Sequence, residues 1–111
     1  MVLLISIIDN YSTMPYDLFS KKINRAIRDE KPTLHNNQAV RKFAVNKYKD
    51  LGLNTPQANE RAAKKDAGHI LARNHGGKDT ASNYMWEDRH DNRAHGDKTI
   101  TNSQLKAGGR L

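Results

Sequence analysis

The chain has 111 residues, no cysteine, 19 Lys+Arg against 12 Asp+Glu, and a formal net charge of +7 with neutral histidine. That length allows one domain with a limited core, and the missing cysteine excludes disulfides, thiolate zinc sites and cysteine nucleophiles. The basic balance favours a polyanionic partner, nucleic acid before a membrane surface.

Residues 1–8, MVLLISII, form an apolar run too short to cross a bilayer. The run lacks the basic leader and small-residue cleavage site of a secretory signal. It reads either as a buried strand or as sequence ahead of a later start at Met14. Residues 15–28 predict a first helix, with Tyr16, Phe19, Ile23 and Ile27 on one face and Lys21, Lys22, Arg25 and Arg28 largely on the others. Lys31-Pro32 breaks it. Residues 36–51 predict a second helix through Val40, Phe43, Ala44 and Tyr48, stopped at Leu51-Gly52. Thr55-Pro56 predicts a third helix, with Thr55 as N-cap, running to about Lys65.

Residues 64–97 then carry four of the five histidines and the single tryptophan. Residues 66–72 read as a short strand, 73–80 as a turn around Gly76-Gly77, 83–87 as a second strand, and 88–95 as a helix stopped by Gly96. The tail, 98–111, is polar and without period, which predicts a frayed or disordered end. The expected division is an extension over 1–14, basic helices over 15–65, a compact unit over 66–97 and a tail over 98–111.

Phosphodiester hydrolysis asks for a positioned histidine to deprotonate water. It also asks for a divalent cation to stabilise charge on phosphorus and the leaving oxygen, and for Arg and Lys to hold the backbone. Without cysteine, a metal falls to His, Asn, Asp, Glu and water, ligands suited to Mg²⁺ or Mn²⁺ and, with histidine, to Ni²⁺ or Zn²⁺. His69 sits in Asp66-Ala67-Gly68-His69, Asn83 follows 14 residues later, and Asn92 follows 9 after that. Strict alternation puts His69 on the face of Leu71, so its exposure needs a twisted or irregular strand. Gly68 leaves room for a close approach.

His, Asn and Asn at this spacing, across a hairpin and onto a helix, resemble the HNH (ββα-metal) nucleases, including the HNH domain of RNA-guided CRISPR nucleases. Asp66-Ala67-Gly68-His69 is similar to the Asp-Arg-Gly-His stretch of non-specific DNA/RNA endonucleases. The stretch from Gly76-Gly77 through Asn83-Tyr84 and Trp86-Glu87-Asp88-Arg89 to Asn92-Arg93 resembles small HNH proteins of phages, some of homing type. The likeness covers about 30 of 111 residues. It implies His69 as general base, Asn83 as the residue that fixes the loop and orients His69, and Asn92 as helical metal ligand. Asp66 is a weaker second ligand, because the family's Asp directly before the base is Gly68 here. With Ala67 in place of Arg, phosphate contacts fall to Arg73, Arg89 or Arg93, with Lys64 and Lys65 beside them. His95, three residues after Asn92, is a candidate second ligand or phosphate contact. His90 lies roughly 200° round the helix from Asn92 and is off-site. Trp86 reads as core, Asp88 as an N-cap, and His75 as solvated.

The expected fold is therefore α+β, N-terminal helices followed by a ββα-metal unit on which they pack. The expected function is a metal-dependent endonuclease acting on nucleic acid, double-stranded DNA first, with Mg²⁺ before Mn²⁺ or Ni²⁺. The implied location is the cytoplasm, that of the host if a phage encodes it, with no membrane association. The alternative is a basic nucleic-acid-binding module that keeps the HNH shape without cleaving. A structural zinc site of His69, His90 and His95 is a third reading.

Overall fold

The computed structural model describes residues 17–111. The expected strand over 1–8 and the helical positions Pro15 and Tyr16 lie outside the described residues. Three helices come first, α1 (Leu18–Glu30), α2 (Asn37–Asp50) and α3 (Thr55–Ala62). A hairpin of β1 (Lys65–His69) and β2 (Tyr84–Asp88) follows, then α4 (Arg89–His95) and α5 (Asn102–Ala107). Mixed helix and strand agree with the α+β expectation.

Each helix start has a local cause. Asp17 caps α1 by accepting from the Ser20 N–H at 2.7 Å, and Asn36 caps α2 through Ala39 at 2.8 Å. The third helix corrects the sequence reading at both ends. Its N-cap is Asn54, not Thr55, in a reciprocal capping box with Gln57. It stops at Ala62, three residues short of Lys65, which is already in β1. The side chain of Arg41 fixes that corner by donating to the carbonyls of Ala62 and Lys65.

The two strands are antiparallel, with Ala67 opposite Trp86 and His69 opposite Tyr84. Phe19, Ile23 and Ile27 from α1, Val40, Ala44 and Tyr48 from α2, and Ala58 and Ala62 from α3 form one core with Ala67, Tyr84 and Trp86. The helices thus pack on the hairpin, as its small size demands. Two strands alone hold too little apolar surface to be stable in water. The Trp86 indole N–H donates to the Tyr48 hydroxyl at 3.0 Å, and burial pushes the Tyr48 hydroxyl up to about 12, so it stays protonated.

Asn24, fully buried on α1, closes the free edge of β2. It accepts from the Trp86 N–H at 2.7 Å and donates to the Trp86 carbonyl at 3.0 Å. It also donates to the Gly108 carbonyl at 2.8 Å. Residues 98–111 are accordingly structured, contrary to the frayed tail that their polarity suggested. Thr101 and Gln104 form a capping box for α5, Ile100 is buried, and its N–H donates to the Ile70 carbonyl at 3.0 Å. The tail adds polar contacts to the fold, which hydropathy alone does not register.

Lys65 is also corrected. It is only 2 % exposed and pairs with buried Asp17 at 3.3 Å, joining the start of α1 to β1. It is consumed by the fold and is no nucleic-acid contact.

Replacing Asn24 with Ala leaves the Trp86 N–H, the Trp86 carbonyl and the Gly108 carbonyl without their partner. With about 1–3 kcal/mol for each buried group left unsatisfied, we expect a loss of roughly 2–4 kcal/mol. Urea denaturation of Asn24→Ala beside wild type measures it, and a loss under about 1 kcal/mol would refute the role.

Candidate functional site

The hairpin loop is shaped by Asn83. Its side-chain oxygen accepts from the Leu71 N–H at 2.8 Å, and its amide donates to the carbonyls of Leu71 at 2.9 Å and Lys78 at 3.0 Å. Because Asn83 takes both polar groups of Leu71, the ladder ends early and β1 stops at His69 rather than at the expected residue 72. The last rung is the Ile70 N–H to the Asn83 carbonyl at 2.8 Å. Gly77 closes the turn: a Cβ there would lie 1.7 Å from the Leu71 carbonyl oxygen, so no side chain fits.

His69 stands at this strand end. Its Nε2 lies 2.7 Å from Asp79 Oδ1, and its ring is 4.7 Å from that of Tyr84. The Tyr84 hydroxyl donates to the same Asp79 oxygen at 3.0 Å, and Arg73 approaches the other at 3.7 Å. The His69 hydrogen bond, then those of Tyr84 and the charge of Arg73, hold the Asp79 carboxyl below the usual carboxylate range. Burial, with Asp79 beside it, pushes the Tyr84 hydroxyl up to about 12. A carboxylate accepts only, so Nε2 carries the proton and the neutral ring keeps its lone pair on Nδ1.

A second group lies where α4 crosses the hairpin. The strand register places Asp66, Gly68, Met85 and Glu87 on one face, opposite to that of Ala67, His69, Tyr84 and Trp86. Asp88 caps α4 through the His90 N–H at 2.9 Å, as expected. From α4, Asn92 donates to Asp66 Oδ2 at 3.3 Å, and His95 Nε2 lies 2.9 and 3.0 Å from the two Glu87 oxygens. A Cβ at Gly68 would sit 1.7 Å from Glu87 Oε2 and 2.7 Å from Asn92 Oδ1. Both oxygens therefore converge on the space that a side chain at residue 68 would fill. Glu87 is 1 % exposed. Burial pushes its carboxyl above the usual range against the pull of His95, and Asp91 and Asp66 add to the rise.

The structure thus brings the expected site residues together as two adjoining half-sites. His69 and Asn83 fall in one, and Asp66, Asn92 and His95 in the other, joined by the Gly68–His69 peptide. Asp66 is surrounded by arginines, with Arg89 at 3.3 Å, Arg41 at 3.7 Å and Arg93 at 3.8 Å. It balances that cluster and orients Asn92, which leaves Asn92 Oδ1 and the His95-paired carboxylate of Glu87 as the candidate oxygens for a cation. Arg73, Arg93 and Lys64 are exposed, and Arg89 is half-buried. His75 is not merely solvated, since it contacts Asp97 at 3.2 Å. His90 is exposed and apart. Among the described residues no three His, Asp or Glu side chains group as a metal site, and His69, His90 and His95 are not brought together.

Sequence reasoning passed over Asp79, Glu87 and Arg41. A signal existed for Glu87: it lies opposite Asp66 once the hairpin is in register, and Gly68 lies diagonally across. No family model, curated protein or solved structure matches this chain.

Glu87 keeps its proton to higher pH folded than unfolded. Between those two values the native state binds more protons, so stability falls as pH rises. Compared with Glu87→Gln, wild type should lose stability as pH climbs from about 4, read from urea midpoints. A difference that does not change with pH would refute the burial argument.

Proposed function

We propose that this protein is a metal-dependent endonuclease of the HNH (ββα-metal) type, cleaving nucleic acid, double-stranded DNA first. The observation that supports it best is the strand end at His69. There the Asn83 side chain fixes the loop through three hydrogen bonds, and Asp79 holds Nε2. Oriented in this way, His69 takes the proton of the attacking water at Nδ1, and Asp79 stabilises the resulting imidazolium.

Asn92 Oδ1 and Glu87 Oε2 suit a hard divalent ion such as Mg²⁺, completed by water, and His95 would join them as a ligand on releasing Glu87. Glycine at 68 fits that role, because it leaves room for the Glu87 carboxylate beside Asn92 Oδ1. When bound, the ion supplies Lewis-acid stabilisation of a phosphate oxygen and the departing 3′ oxygen. Asp66 then acts by fixing the Asn92 amide, which points its oxygen away from the arginines. Arg73 and Arg93, exposed on either side, hold the strand, and the net charge of +7 adds salt-sensitive affinity for the backbone.

One observation favours a second reading, a basic nucleic-acid-binding module that does not cleave. Strand alternation directs His69 and the Asn92 group to opposite faces of the hairpin. A plasmid-relaxation assay with Mg²⁺ or Mn²⁺ separates the two. The nuclease nicks in metal and stops in EDTA, and His69→Ala lowers the rate by a factor on the order of 10² or more. Calorimetry with Mn²⁺ supplies the second readout. Asn92→Ala and Glu87→Gln weaken the ion, roughly 10–100-fold, while His69→Ala leaves its affinity unchanged. Salt-sensitive DNA binding without nicking in any metal establishes the module instead.

A further inference from the structure

A cavity of about 560 Å³ is lined by the α1–α2 connection and the hairpin loop, including Asp79. Its apolar wall is formed by Ile27, Pro32, Leu34 and Ala81. Its cations are Arg28, Lys31 and Arg110. Arg110 is 8 % exposed. One of its nitrogens, Nη2, donates to the carbonyls of Ala81 at 3.2 Å and Ser82 at 3.1 Å. Its Nε and Nη1 are buried and, among the described residues, have no hydrogen-bond partner. An uncompensated buried guanidinium is costly, and native structures rarely keep one without an anion or hydrogen-bond acceptor.

The surrounding charge sharpens the point. Burial, and after it the nearby positive charge of Arg28, disfavours the Arg110 cation, and Asp29 offsets part of this. Asp29 is already bound by Arg28 at 2.7 Å. Among the described residues, the single carboxylate on the cavity wall, Asp79, is taken by His69, Tyr84 and Arg73. Among the described residues, two donors on Arg110 therefore lack an anion, with Lys31 and the Asp29-paired Arg28 at the rim, and the wall beside them is apolar.

We infer that this cavity binds one nucleotide of a nucleic-acid strand. Its phosphate meets Arg110, Arg28 and Lys31, and its base lies against Pro32, with Leu34 and Ala81 behind it. The cavity has the size and the mixed lining of a small-ligand site. The choice of a nucleotide over another organic phosphate rests on the nucleic-acid reading above. Asp79 belongs both to this wall and to the His69 group, so a strand seated here passes the proposed base.

Binding is tested on the full chain in EDTA, where cleavage is off. A 5′-deoxynucleoside monophosphate and inorganic phosphate are titrated separately by calorimetry, while NMR follows the Arg110 Nε–H. Arg110 also holds the loop carbonyls, so the first variant is the surface pair Arg28→Glu with Lys31→Glu, checked for an unchanged Tm. The mononucleotide should bind about tenfold or more tighter than phosphate, shift the Arg110 resonance, and weaken about tenfold or more in the double variant. Equal affinity for phosphate and mononucleotide would overturn the nucleotide assignment. No binding, or binding indifferent to the double variant, would overturn the site. His69→Ala should bind the mononucleotide as wild type does, so failure to nick DNA and failure of this cavity are separate results.

Discussion

Asn24 is the polar residue on which the rest of this small structure depends. A two-stranded sheet has two open edges and almost no core. Trp86 turns its backbone N–H and carbonyl away from β1, and Asn24 meets both with one amide. A third strand is replaced by one side chain from a helix. The same amide reaches the Gly108 carbonyl, so helix, strand and C-terminal segment meet at one buried point. With that edge closed, the Trp86 ring can stay inside against Tyr48, and the other side of the hairpin is left for α4.

The hairpin then separates two kinds of chemistry by its own pleat. On the core side the strand end presents His69, with Asp79 and Tyr84 gathered round it. On the α4 side, glycine at 68 lets the Glu87 carboxylate lie over the strand, on the side to which the Asn92 oxygen also turns. A carboxylate that could have come from residue 68 is supplied from the neighbouring strand instead. The penalty is burial, seen in the raised Glu87 carboxyl, and His95 offsets part of it. Asp66 is nearer in sequence to His69 and is the obvious acid, but its charge is spread over three arginines.

How much of this was legible depended on how local the cause was. The helices over Phe19–Ile23–Ile27 and Val40–Ala44–Tyr48 follow from apolar spacing, and the hairpin and α4 from Gly76-Gly77, Asp88 and Gly96. Asn83 was readable as a loop-fixing residue because asparagine bonding to nearby backbone is a short-range habit. Strand ends were misjudged because the Asn83 side chain competes with the ladder for Leu71. The ordered tail was missed because its evidence is the Thr101–Gln104 box and a bond to Asn24, 84 residues away, and neither shows in hydropathy. Asp79 and Glu87 matter only after folding, since their partners come from other turns of the chain. Lys65 looked like one more surface cation until Asp17 was found beside it.

That last point changes how the net charge should be understood. Lys65 is committed to Asp17, Arg41 to the corner carbonyls of Ala62 and Lys65, and Arg89 chiefly to Asp66. These cations hold the hairpin in place, and their attraction for an external polyanion is correspondingly small. Arg73 and Arg93 are exposed beside the two half-sites, and Arg28 and Lys31 border the cavity that shares Asp79. Uniform surface charge would give affinity without direction. Here exposed cations flank the strand end where histidine, carboxylate and asparagine side chains meet, and Arg73, Arg93 and Arg28 share their charge with Asp79, Asp66 and Asp29. On the proposed nucleic-acid reading, a polyanion drawn to them would be brought to that end, and the basic excess that assists encounter would also select where on the protein it occurs.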